Sequence, residues 1–148
     1  MYHQYREGYI EVICGCMFAG KTEELIRRIN VLSYAKQKIL VFKPKIDDRY
    51  SEIEIASHSG RKVPCFAIDD PEEILDKVTD DVQVVAIDEV QFFDDNIVDV
   101  AIDLADQGIR VIENIFNQNV RILPDKNYCD NYLASQQVNS FINIFFKL

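Results

Sequence analysis

The sequence predicts an α/β fold, a mainly parallel sheet flanked by helices, with a β-hairpin arm. Three observations predict it. Short β-branched runs alternate with amphipathic stretches of helical period, the pattern of βαβ units. The apolar runs KILVFK at 38–43 and VQVVAI at 82–87 read as strands buried on both faces. The chain has 148 residues, 48% of them hydrophobic, enough for one core and too apolar for disorder.

Each element follows in order. Tyr9–Cys14 (YIEVIC) is a β-branched run ending at Gly15 and reads as a strand. Thr22–Tyr34 places Leu25, Ile26, Ile29 and Leu32 at helical spacing. Lys38–Lys43 is a buried strand stopped by Pro44. From Lys45 to Ile68 the chain alternates at Ile53 and Ile55, breaks at Ser59-Gly60 and resumes, as a hairpin or extended arm does. Pro71 opens a short helix with Ile74, Leu75 and Val78 on one face. Val82–Ile87 is the most apolar strand. Asp94–Gln107 is a helix that stops at Gly108, and Ile109–Ile112 begins another strand.

From Glu113 onward the composition changes. Seven of the nine asparagines lie there, with no glycine, and the segment's acidic and basic residues cancel. The formal charge of -9 therefore belongs wholly to residues 1–112. The apolar end FINIFFKL reads as a strand, a core tail or an exposed terminus.

That acidity argues against a general nucleic-acid binder, which needs a basic face for phosphates. A nucleotide enzyme needs positive charge at one small site only. The start MYHQYREGYIEV has no apolar run after a basic segment, and no stretch approaches a membrane span, so a cytoplasmic protein without a membrane partner is expected. Cys14, Cys16, Cys65 and Cys129 match no zinc or redox spacing and read as small buried or loop thiols.

Gly15–Thr22 reads GCMFAGKT and fits G-x-x-x-x-G-K-[ST], the P-loop. Chemistry requires each fixed position. Gly15 and Gly20 let the backbone wrap phosphate oxygens. The N–H groups of Cys16, Met17, Phe18 and Ala19 lie within that wrap, an anion nest continued by the positive end of the following helix. Lys21 supplies a cation to the outer phosphates, and the Thr22 hydroxyl can ligate magnesium. A strand before the motif and a helix after it make the fold P-loop NTPase-like. The bland reading of the same residues is a glycine-containing turn without ligand.

Asp88 and Glu89 follow VVAI, where a Walker-B acid stands at the carboxyl end of a parallel strand. Asp88 would hold magnesium, directly or through water, and Glu89 could take a proton from an attacking hydroxyl or water. Two acids capping a helix are the structural alternative. The pair does not separate kinases from ATPases, but the chain lacks room for the larger core of a motor ATPase, which favours a small kinase.

With these residues in place, the chain resembles the type II thymidine kinases. Their P-loop reads G-P-M-x-[SA]-G-K-[ST], with Cys16 here in place of proline. Their acidic motif D-E-x-Q-F is matched by DEVQFF at Asp88–Phe93, and KPKIDDRYS at Lys43–Ser51 and SHSG at Ser57–Gly60 also fit. The resemblance implies a thymidine kinase that uses ATP and Mg²⁺, with Glu89 as the base for the nucleoside 5′-hydroxyl. Lys21, Thr22 and Asp88 would manage triphosphate and metal, with Val90 and Gln91 beside the nucleotide. Gln91 could equally cap a helix. Arg49 would sit on the arm and stabilise charge on the transferring group. Met17 and Phe92 would wall the thymidine pocket; without the resemblance they are ordinary core residues. His58 goes to the arm's turn. A homotetramer is the family tendency.

The resemblance covers Gly8–Ile112 and then weakens, so residues 1–112 read as a nucleotide-binding kinase core and 113–148 as a divergent C-terminal segment. The family continues with G-L-D-x-D-F-R-G-x-P-F. In NIFNQNVRILPD at Asn114–Asp125, Arg121 and Pro124 fit, while Asn117, Asn119, Val120 and Asp125 depart. The family's zinc-bearing segment and thymine-holding lasso are not found in these residues, so zinc is not expected in this chain and base recognition is expected to be weak. Two alternatives to a working kinase follow: a catalytically impaired nucleotide-binding remnant, and a small P-loop ATPase.

Overall fold

A computed structural model of the chain describes residues 7–15, 20–45, 54–56 and 60–116. In chain order the elements are β1 (Tyr9–Gly15), α1 (Lys21–Tyr34), β2 (Ile39–Pro44), β3 (Glu54–Ala56), β4 (Lys62–Pro64), β5 (Phe66–Ile68), α2 (Glu72–Lys77), β6 (Val84–Ile87), a 3-10 turn at Val90–Phe92, α3 (Asn96–Asp106) and β7 (Arg110–Phe116). The main sheet has five strands in the order β1-β7-β6-β2-β5, and every pairing in it is parallel. The α/β architecture and the antiparallel β3-β4 arm are as the sequence predicts. No helix among the described residues is long and apolar enough to cross a membrane.

The two faces of the sheet bury different helices. On one face Leu25, Ile26 and Ile29 of α1 pack on Val84, Ala86 and Ile112, joined by Ile55 and Val63 of the arm. On the other, Ile97, Val100, Ala101 and Leu104 of α3 pack on Val85, Ile87, Val111 and Ile115. Leu25 and Ile26 are fully buried. Each such side chain contributes roughly 1.5–3 kcal/mol, which fixes the start of α1 against the sheet. Outside the core, Arg110 donates twice to Glu11 at 2.9 and 2.8 Å. Arg28 lies 3.7 Å from Glu11 and 2.8 Å from Glu24, tying α1 to β1 and β7.

Two elements differ from the sequence reading. The segment read wholly as an arm contains β5, which leaves the arm and joins the sheet beside β2. Only three residues long, it is held by tertiary contacts: the Phe66 ring lies 5.5 Å from Phe42, and Lys77 sits 4.9 Å over it. The strand begun at Ile109–Ile112 runs on to Phe116, because β1 pairs with it residue for residue up to Gly15. Glu113 and Asn114 are thereby drawn into the centre of the sheet, at 0% and 2% exposure.

Candidate active site

Parallel strands end together, and their carboxyl ends form the crevice where ligands bind in α/β sheets. Here β1 ends at Gly15, β6 at Ile87 and β7 at Phe116. The start of α1 faces this edge. Gly20 caps the helix at φ 81, a left-handed conformation that suits glycine, and its carbonyl accepts the first helical bond from Glu24 N–H at 3.0 Å. Lys21 and Thr22 open the helix, both half-buried. Unsatisfied N–H groups at such a start favour an anion.

Asp88 leaves β6 directly into the same region. Its N–H donates to the Phe42 carbonyl at 2.9 Å, and only 6% of its surface is exposed. Burial and the adjacent Glu89 carboxylate push Asp88 up to about 6, against hydrogen bonds from Asn114 and the Glu89 backbone and the charge of Lys43. Glu89 is half-buried, with its backbone at φ 53, and its carboxylate accepts from the Gln91 amide at 2.8 Å. A glutamate held in the left-handed region carries strain of the kind found at functional sites.

Asn114 joins these parts. Its Nδ2 donates to Asp88 Oδ1 at 2.7 Å and approaches Thr22 Oγ1 at 3.5 Å. Its own Oδ1 is buried without a partner among the described residues. Asn114 is not among the residues the sequence singles out; its one signal there is a polar residue soon after the apolar run Ile109–Ile112. Glu113 alternates to the α3 side of the sheet, with both carboxylate oxygens unpartnered among the described residues.

The other predicted residues divide. Gly15 ends β1, and Gln91 is held against Glu89. Val90 is fully buried among core residues, so its side chain packs the fold and its backbone alone could meet a nucleotide. Phe92 is 56% exposed just beyond Glu89. Cys16, Met17, Phe18, Ala19 and Arg49 lie outside the described residues, as do His58, Cys129, and the departures at Asn117, Asn119, Val120 and Asp125. Near the arm, Lys43 Nζ donates to the Glu54 carbonyl at 3.0 Å and Arg61 lies 3.4 Å from Glu23.

The donor chemistry fits magnesium. Thr22 and Asp88 offer hard oxygen atoms around a common amide, beside the orphan carbonyl oxygen of Asn114. No group of three or more His, Cys, Asp or Glu that could hold a metal is found among the described residues. Magnesium suits that arrangement, because it is commonly held by one or two protein ligands together with phosphates and water.

Comparison with known proteins places the chain among relatives of one kind. Residues 8–129 match the family model described as thymidine kinase. The chain is 52% identical over 131 residues to a thymidine kinase of Mycoplasma capricolum subsp. capricolum, a match covering 85% of this chain and 63% of that protein. It is 50% identical over 131 residues, with the same coverage, to a thymidine kinase of Mycoplasma mycoides subsp. mycoides SC. The chain thus spans 63% of the length of both relatives.

Proposed function

The chain belongs to the thymidine kinase family, and on that premise we propose that it transfers the γ-phosphoryl group of ATP to the 5′-hydroxyl of thymidine. The observation that carries the proposal is the meeting of Thr22, Asp88 and Glu89 at one edge of the sheet, the first two bridged by Asn114. Lys21 and the helix N-terminus stabilise the triphosphate. Thr22 and Asp88 would hold Mg²⁺, which would neutralise charge on the phosphates. Glu89 accepts the proton of the attacking hydroxyl, and Arg49 stabilises charge on the transferring group. Gly15, the loop 16–19, Gly20 and the backbone at 89–91 complete the nucleotide site, and Met17 and Phe92 contact the nucleoside.

Residues 1–112 supply this phosphate chemistry in the proposal, and 113–148 are its divergent segment. The enzyme is placed in the cytoplasm as a homo-oligomer, with no nucleic-acid or membrane partner. A Glu89→Gln substitution tests the chemistry, since it keeps the side chain's shape and removes its basicity. Transfer should be abolished while ATP affinity stays nearly constant. A fully active variant would remove Glu89 from its role.

A further inference from the structure

We infer that Asn114 is a positioning residue, a clamp that sets Thr22 and Asp88 at the spacing a magnesium-bound triphosphate requires. The inference rests on the nucleotide-site reading above. Thr22 belongs to the helix that follows β1, and Asp88 to the end of β6. The two strands are not neighbours; β7 lies between them. Any direct link between the two elements must therefore pass over β7, and Asn114 is the β7 side chain at that point. Its register partner on β1 is Ile13, and the residue before it pairs with Ile87, the last of β6. One amide nitrogen serves both groups, at 2.7 Å to Asp88 and 3.5 Å to Thr22.

Energetics argue against a merely structural role. A buried strand position is satisfied most cheaply by an apolar side chain, as at Ile112 and Ile115 around it. Asn114 instead places an amide at 2% exposure and leaves its carbonyl oxygen without a donor among the described residues. Among the described residues, every side-chain hydrogen bond it makes goes to one of the two proposed metal-holding residues. The return on that cost is orientation: a buried carboxylate held by a fixed amide cannot rotate away from the cation it serves.

The test is ATP binding by the full chain, measured by calorimetry with Mg²⁺ and again with EDTA. Asn114→Ala and Asn114→Val are compared with the parent and with Lys21→Ala. Valine suits a buried strand, so it keeps the experiment informative if the alanine variant does not fold. Both Asn114 variants should bind ATP about tenfold more weakly with Mg²⁺, need more Mg²⁺ for half-maximal binding, and match the parent in EDTA. Lys21→Ala should weaken binding in both conditions. Equal losses with and without Mg²⁺, or none in either, would overturn the clamp. So would a parent whose ATP affinity ignores Mg²⁺, with triphosphate binding itself left standing. A parent that binds no ATP in either condition would overturn the nucleotide site and the clamp together.

Discussion

Asp88 and Glu89 are consecutive carboxylates with opposite constraints. Asp88 is 6% exposed and hydrogen-bonded to Asn114, whereas Glu89 is half-buried and held at φ 53. In the proposed site the first carboxylate serves a cation and the second a hydroxyl.

That strain is measurable. A non-glycine residue in the left-handed region costs about 1–2 kcal/mol, and Glu89 also raises Asp88 through like charge. Glu89→Gly should therefore gain about 1 kcal/mol in urea unfolding and lose phosphoryl transfer by about a hundredfold or more. A glycine variant less stable than the parent would show that Glu89 is held by contacts stronger than its strain.

A second strained residue is independent of the site. Helix α1 ends with Lys36 N–H donating to Ser33 O and Gln37 N–H to Leu32 O; α3 ends identically, with Gly108 to Ala105 and Ile109 to Leu104. The same left-handed position is occupied by Lys36 at φ 59 and Gly108 at φ 84. Lys36→Gly should stabilise by about 1 kcal/mol, and Gly108→Ala should destabilise by a similar amount. Thermal denaturation of the two variants reads opposite shifts; shifts of the same sign would contradict the shared motif.

Glu113 makes stability depend on pH. Burial, with no partner among the described residues, holds its carboxyl well above the usual value of 4.5. The folded state thus binds the proton more tightly than the unfolded state. Its contribution is fully present below the unfolded value and is lost as pH rises toward the folded one. In that window the slope from this single group is at most about 1.4 kcal/mol per pH unit. Glu113→Gln should be more stable than the parent at neutral pH, with the difference shrinking toward pH 4.5. Parallel pH profiles in urea unfolding would rule this out.

Glu24 acts in the opposite sense. Hydrogen bonds from Arg27 and then Arg28 hold it at about 2 although desolvation opposes them. Its stabilising contribution is present above 4.5 and fades as pH falls toward 2. One-third exposure limits the effect of Glu24→Gln to roughly 0.5–1 kcal/mol at neutral pH. The loss should be reduced by high salt; a salt-independent loss would assign it to packing.

Much of the proposed phosphate side of the site is legible in the sequence because its chemistry restricts residue types. The left-handed backbone at Gly20 favours glycine, and a phosphate-binding helix start places a lysine and a hydroxyl at fixed offsets after it. Asp88 and Glu89 were legible from the apolar strand that ends before them. Asn114 was not, since its link to Asp88 spans 26 residues of sequence and arises from strand order. An asparagine also reads locally as a turn or strand end. Likewise β5 is too short to show a period, and its pairing with β2 depends on the Phe42 and Phe66 contact.

Thymidine phosphorylation is read by incubating the purified chain with γ-labelled ATP, Mg²⁺ and thymidine and separating the products. Labelled thymidine monophosphate is expected, formed only with thymidine present and absent for Glu89→Gln. ATP that binds without labelling thymidine would contradict the kinase and leave a nucleotide-binding remnant, and phosphate released at the same rate without nucleoside would point to an ATPase.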